Sequence, residues 1–236
     1  MNDERVATKS QGVEIAAKLN WLRAGVLGAN DGIVSTSALI FGVAGANASH
    51  VTVVLAGIAA IAAGAMSMAV GEYVSVSSQR DLEEAELALE REQIARHPQV
   101  ALAELTSLLE GRGMQHDVAK EAAIQLSDYD ALGSHARVEL GIDPGAVVNP
   151  WNAAFASVIA FTAGGLIPLL SMVLAPRAIE IWVSGAAVVV ALGLSGWISA
   201  WLGGTSRIGS IARTVVGGLL AMSITYAVGK VAGTQI

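Results

Sequence analysis

The stretch VTVVLAGIAAIAAGAMSMAVGEYVSVS, Val51–Ser77, carries a single charged side chain, Glu72. As a helix rising about 1.5 Å per residue it would reach roughly 40 Å, more than the roughly 30 Å hydrocarbon layer of a bilayer. It therefore predicts a membrane span. The continuation SQRDLEEAELALEREQIAR, Ser78–Arg96, contains strong helix formers and no Gly or Pro, so the same helix is expected to leave the membrane and run on into water. Working outward, four more stretches are long and apolar enough to cross: roughly Ala24 to Ala46, Ala153 to Leu174, Ile181 to Leu202 and Ile208 to Val228. The third and fourth spans contain no charge, the fifth holds only Arg213 near its start, and the first holds Asp31.

These runs predict an all-α membrane protein of five transmembrane helices, with an acidic helical domain between the second and third. The expected divisions are residues 1–78, 79–145 and 146–236. Composition agrees, because 53% of the 236 residues are hydrophobic and only 14% are charged, against roughly a quarter charged in soluble domains. Most of the 20 acidic residues fall between Asp81 and Glu139. That negative balance disfavours nucleic acid as a partner and suits cations held through carboxylate oxygen. Without cysteine, disulfides and thiolate metal sites are excluded. With mixed charge through Arg23, no cleavable signal peptide is expected. Arg5, Lys9, Lys18 and Arg23 precede the first span, and Arg207 and Arg213 sit at the fourth connection. Positive flanks stay in the cytosol, which places the N-terminus and acidic domain there and the C-terminus across the membrane.

The membrane portion is dense in small residues, such as Gly64 between Ala63 and Ala65, Gly164-Gly165 and Gly217-Gly218. Small residues let helices approach closely in lipid, which predicts a tight bundle and a homodimer. Pro168 is expected to kink the third span.

The candidate chemistry begins with acids in apolar runs. Asp31 lies about 10 Å beyond Ala24 along a helix, and Glu72 is at similar depth from the same face on an antiparallel span. Met68 is one turn deeper and on the Glu72 side. A carboxylate at that depth is costly, so a functional partner is the default reading. The plainer alternatives are a structural acid and ordinary packing for Met68. Gly25, Gly28, Gly32 and Asn30 around Asp31 offer backbone that an ion could approach. In the water-facing segment Glu83, Glu86 and Glu90 form an acidic stripe, which by itself is most simply a solvated face. Glu104 follows on the next helix, expected to end near Gly111, after a break at His97-Pro98. Further helices are expected from His116 to Leu126 and from Asp130 to Leu140, the latter carrying His135 and Glu139 four apart. Carboxylates from several helices with one imidazole form the ligand set of bundle iron and manganese sites. His97 and His116 read as capping or surface residues.

The blocks Leu27–Thr36 (LGANDGIVST) and Ser67–Gln79 (SMAVGEYVSVSSQ), supported by Glu139-Leu140-Gly141 and Pro168-Leu169-Leu170, resemble the vacuolar iron transporter family over nearly the whole chain. The resemblance implies a dimeric, proton-driven exporter (antiporter) of cytosolic Fe²⁺, and often Mn²⁺. It implies that Asp31 and Met68 line the path and that the acidic helices form a cytosolic metal-binding domain. The match departs from the plant-type pattern at three ligand positions. A second Glu three residues after Glu90 is Gln93, a Glu three residues before Glu104 is Ala101, and a Met-Met-x-x-Glu pattern reads His135-Ala136-Arg137-Val138-Glu139. These departures leave open the number of ions bound, bring Zn²⁺ alongside Fe²⁺ and Mn²⁺, and raise Glu86 as a compensating ligand. Two other readings remain, a membrane-anchored metal buffer or sensor and a ferritin-like iron oxidase. No catalytic triad, phosphate loop or cofactor fingerprint is present, so a transporter rather than an enzyme is expected, with no catalytic cofactor.

Overall fold

The structure, a computed structural model, describes residues 25–145 and 149–234. The N-terminal cations Arg5, Lys9, Lys18 and Arg23, and with them the signal-peptide reading and Ala24, lie outside the described residues. Among those described there are seven helices and no strand. They are α1 (Gly25–Gly45), then α2 (His50–Arg96), α3 (Pro98–Gly111), α4 (His116–His135), α5 (Pro150–Leu174), α6 (Glu180–Gly203) and α7 (Arg207–Gly233). A π-helical turn, Ala136–Leu140, follows α4. Five of the seven, α1, α2, α5, α6 and α7, are long and apolar enough to cross a membrane.

The chain divides into two compact units, one formed by Ser75–Asn149 and the other by residues 25–74 with Pro150 onward. Helix α2 contributes to both.

In the apolar unit, α1 is the central helix. Its Ile40 packs with Val53 and Ile61 of α2 and Leu169 and Met172 of α5. Its Ile33 packs with Val188, Ala191 and Leu192 of α6 and Met222 of α7. Small residues set the spacing. A side chain at Gly32 would meet the Phe161 carbonyl of α5, and one at Gly164 would meet the Ala29 carbonyl of α1. Gly229 of α7 lies closer still to the Gly42 backbone. Lipid is as apolar as a leucine, so helices here associate through contact packing, which requires this approach. Pro168 lies inside α5, which stays helical to Leu174. Its carbonyl accepts hydrogen bonds from the Ser171 and Ser184 hydroxyls, at 2.9 and 3.3 Å.

With these faces occupied, one stripe of α1 is left outward: Leu27, Asp31, Ser35 and Leu39, all exposed in the single chain. Only 17% of the apolar window of α2 and 11% of that of α7 is buried. Those faces must meet lipid or another copy.

In the other unit, α3 packs on α4 through Leu105, Leu109, Ala119 and Ala123, with Val138 of the π turn against them. The break before α3 falls at His97-Pro98, where Pro98 opens the new helix and lacks only an N–H that needs no partner there. The second half of the unit differs from expectation. Helix α4 runs to His135 without a linker, interrupted by one non-helical residue, Asp130 (φ −163°, ψ 85°). The Asp130 carboxylate accepts the Gly133 N–H at 2.9 Å, so it restarts the helix as a cap would. The π turn ends at Gly141 in the left-handed region (φ 69°), which glycine adopts without strain.

Candidate metal centre

Three elements converge on one point in the Ser75–Asn149 unit. Glu90 comes from the C-terminal half of α2, His135 from the last residue of α4, and Glu139 from the π turn. A π turn adds a residue to the helical circuit and re-aims side chains, a device common at functional sites. His135 is 1% exposed and Glu90 6%. One ligand atom from each of the three lies within 4.8 Å of the others. His135 Nδ1 hydrogen-bonds Glu139 Oε2 at 3.4 Å. It also lies 2.9 Å from Glu90 Oε1. That second approach lacks hydrogen-bond alignment, and Glu90 Oε1 is left buried without a hydrogen-bond partner.

A buried carboxylate oxygen without a hydrogen bond is costly, and a proton, a charged His135 imidazole or a bound cation each lowers that cost. Burial raises the Glu90 pKa above its ordinary value, and the neighbouring Glu139 charge pushes the same way. His135 opposes the shift, while Glu104 adds to it. Two carboxylates and an imidazole are a donor set for Fe²⁺, Mn²⁺ or Zn²⁺.

Glu104 lies near enough to influence Glu90 but is engaged elsewhere, its Oε2 accepting the Gln93 side-chain amide at 2.7 Å. Gln93, read from the sequence only as a departure, thus anchors Glu104. Glu86 sits one turn before Glu90 and is half-buried, outside the group of three. Glu83 accepts the Gln79 amide. His97 is exposed at the start of α3 with no capping hydrogen bond from its side chain. His116 is exposed and pairs with Glu110.

In the apolar unit the candidates are arranged differently. Asp31 is not enclosed within one chain, because Gly28, Gly32, Ile33 and Ile40 turn the other faces of α1 toward its neighbours. Met68 and Glu72 are half-buried on α2. Neither Asp31 nor Glu72 belongs to a group of three metal-ligating His, Asp or Glu residues among those described. The amide oxygen of Asn30 accepts the Ser195 hydroxyl at 3.4 Å, orienting the residue beside Asp31. A further pair was not anticipated from the sequence. His50 Nδ1 and Glu180 Oε2 are 2.8 Å apart, each side chain 18% exposed, tying the first turn of α2 to that of α6. The usable signal was that each opens a helix after a short connection.

Residues 22–230 match the VIT family. The chain is 43% identical over 215 residues to the vacuolar iron transporter of Acanthamoeba castellanii, covering 91% of this chain and 79% of that protein. It is 36% identical over 227 residues to vacuolar iron transporter homolog 1 of Oryza sativa subsp. japonica, covering 94% and 78%. It is 32% identical over 223 residues to vacuolar iron transporter homolog 4 of Arabidopsis thaliana, covering 94% and 89%.

Proposed function

The chain belongs to the VIT family, and from that premise we propose that it is an iron transporter that exports Fe²⁺, and Mn²⁺, from the cytosol in exchange for protons. The observation that carries the reading is Asp31 on the outward stripe of α1. A carboxylate facing hydrocarbon costs several kcal/mol, so that stripe belongs against a water-lined path. A second copy supplies the other wall, which makes the working unit a homodimer. Met68 and Glu72 of α2 complete the membrane site. Protons entering from the far side release the ion from Asp31, because a dication passing a fixed carboxylate would otherwise be trapped. Transport into proteoliposomes with and without an imposed pH gradient tests this, and Fe²⁺ flux indifferent to the gradient would remove the proton coupling.

The acidic unit, residues 79–145, is the cytosolic metal-collecting domain of this proposal, with Glu90, His135 and Glu139 as its inner ligands and Glu86 and Glu104 beside them. It also accepts Zn²⁺, since an imidazole stands where a thioether would be softer. Glu139→Ala is expected to weaken metal binding about tenfold or more, because it removes one of three candidate ligands, the half-buried carboxylate beside His135. Calorimetric titration of the full-length variant checks this, and unchanged affinity would dismiss the site.

The raised Glu90 pKa has its own consequence in metal-free protein. An acid that holds its proton more tightly when folded lowers stability once the pH exceeds its unfolded value. The penalty is complete above the folded value and vanishes as the pH falls through that window. Glu90→Gln is therefore expected to raise the melting temperature at neutral pH in chelator and to leave it nearly unchanged in acid. Equal shifts at both pH values would contradict the assignment.

A further inference from the structure

We propose that the membrane face of α6 and α7 carries a binding site for one anionic phospholipid, with an acyl chain in the groove between the helices and the headgroup phosphate at Arg207. The groove is a shallow, open furrow of about 460 Å³ lined by Val190, Gly193, Leu194, Trp197 and Ile211, whose side chains carry no charge and no hydrogen-bonding group apart from the indole N–H. Its floor is open because Gly193 has no side chain, and a Cβ there would meet nothing within 4 Å. Its walls are held at fixed spacing. Gly196 packs on the backbone of Ser210 and Ile211, and the Thr214 hydroxyl donates to the Leu192 carbonyl at 3.0 Å.

The mouth differs chemically from the floor. Val190, Leu194, Trp197 and Trp201 recur along one exposed stripe of α6, so Trp201 continues the groove toward the α6–α7 turn. Arg207 lies four residues before Ile211 on the same side of α7, one turn nearer that turn. Arg207 is exposed and has no ion pair among the described residues. Between residues 181 and 229 the only charged side chains are Arg207 and Arg213, so no carboxylate of this segment can neutralise it. An indole at the interface, a cation beside it and an apolar channel below match a phospholipid with a negative headgroup. A second copy laid on the same face would bring Arg207 against a surface equally devoid of acid.

The test is native mass spectrometry of the full-length protein released from nanodiscs of equimolar phosphatidylcholine and phosphatidylglycerol. Retained lipid is expected to be enriched in phosphatidylglycerol. Arg207→Gln should reduce that enrichment about fivefold, the effect of one cation at an anionic surface. Gly193→Leu should reduce retained lipid of both kinds by filling the floor, and glycerol phosphate, which has no chains, should not displace it. Circular dichroism and size exclusion report that both variants fold. Equal retention of the two lipids by the parent protein would overturn the proposal, as would enrichment unchanged by Arg207→Gln or total retained lipid unchanged by Gly193→Leu. Dissociation of an oligomer by Gly193→Leu without loss of lipid would also overturn it and assign the groove to a protein contact.

Discussion

Asp31→Ala is expected to reduce metal flux in proteoliposomes by about 100-fold while leaving the protein inserted and as stable as before, or more so. The two halves of this expectation come from one cost. A carboxylate facing hydrocarbon at the bilayer centre costs about 2.5–3.5 kcal/mol, an upper bound for Asp31 about 10 Å in, and that range corresponds to a factor of roughly 100. Removing it relieves the helix, and it also removes the group that replaces the water lost by a dication entering the path. A residue retained only for structure would show the opposite pairing, lost stability with normal flux. Asp31→Asn separates charge from hydrogen bonding, since the amide keeps polarity and shape without the negative charge, and it is expected to be nearly as inactive as Ala. Flux at the parent rate in either variant, with equal amounts inserted, would end the role given to Asp31.

Gly32→Ala and Gly164→Ala should rank, with Gly229→Ala, among the most destabilising single methyl additions in the apolar unit. At Gly32 and Gly164 the added carbon would meet a backbone carbonyl, of Phe161 in one case and Ala29 in the other. A backbone carbonyl cannot rotate aside as a flexible side chain does, so α1 and α5 must separate. Overpacking of this kind typically costs about 1–3 kcal/mol. Because the two glycines face each other across one seam, the double variant is expected to cost less than the sum of the singles. Gly71→Ala and Gly217→Ala are the controls, with open space at both positions. They are expected to be neutral or stabilising by up to about 1 kcal/mol, the usual gain of Ala over Gly in a helix. Melting curves in detergent that rank Gly32→Ala with Gly71→Ala would show that the seam is not close-packed.

Much of the site was visible as residue types, less as geometry. Glu90, His135 and Glu139 can be nominated from the sequence because acids recurring on helices with one imidazole form a recognisable donor set. That they lie within reach of one another depends on α4 packing back along α3 and on the π turn, and neither leaves a local signature. Gln93 illustrates the limit well. In the sequence it is only an amide where a carboxylate would be expected, and its use appears once Glu104 is 2.7 Å from it. The restart of α4 at Asp130 shows the same limit, since a linker and a single capped kink give similar residue patterns.

The number and kind of the membrane helices followed from the amino-acid order alone. A backbone in hydrocarbon has no water to bond with, so any sufficiently long apolar run must satisfy its own peptide groups as a helix. Which face of each helix turned inward did not follow, because runs as uniformly apolar as α6 and the first half of α2 carry almost no amphipathic signal. Close contacts at Gly32, Gly164 and Gly229 settled it. They drew α1 into the centre and left Asp31 on the outside, a position set by how backbones fit together rather than by the hydrophobicity of any segment.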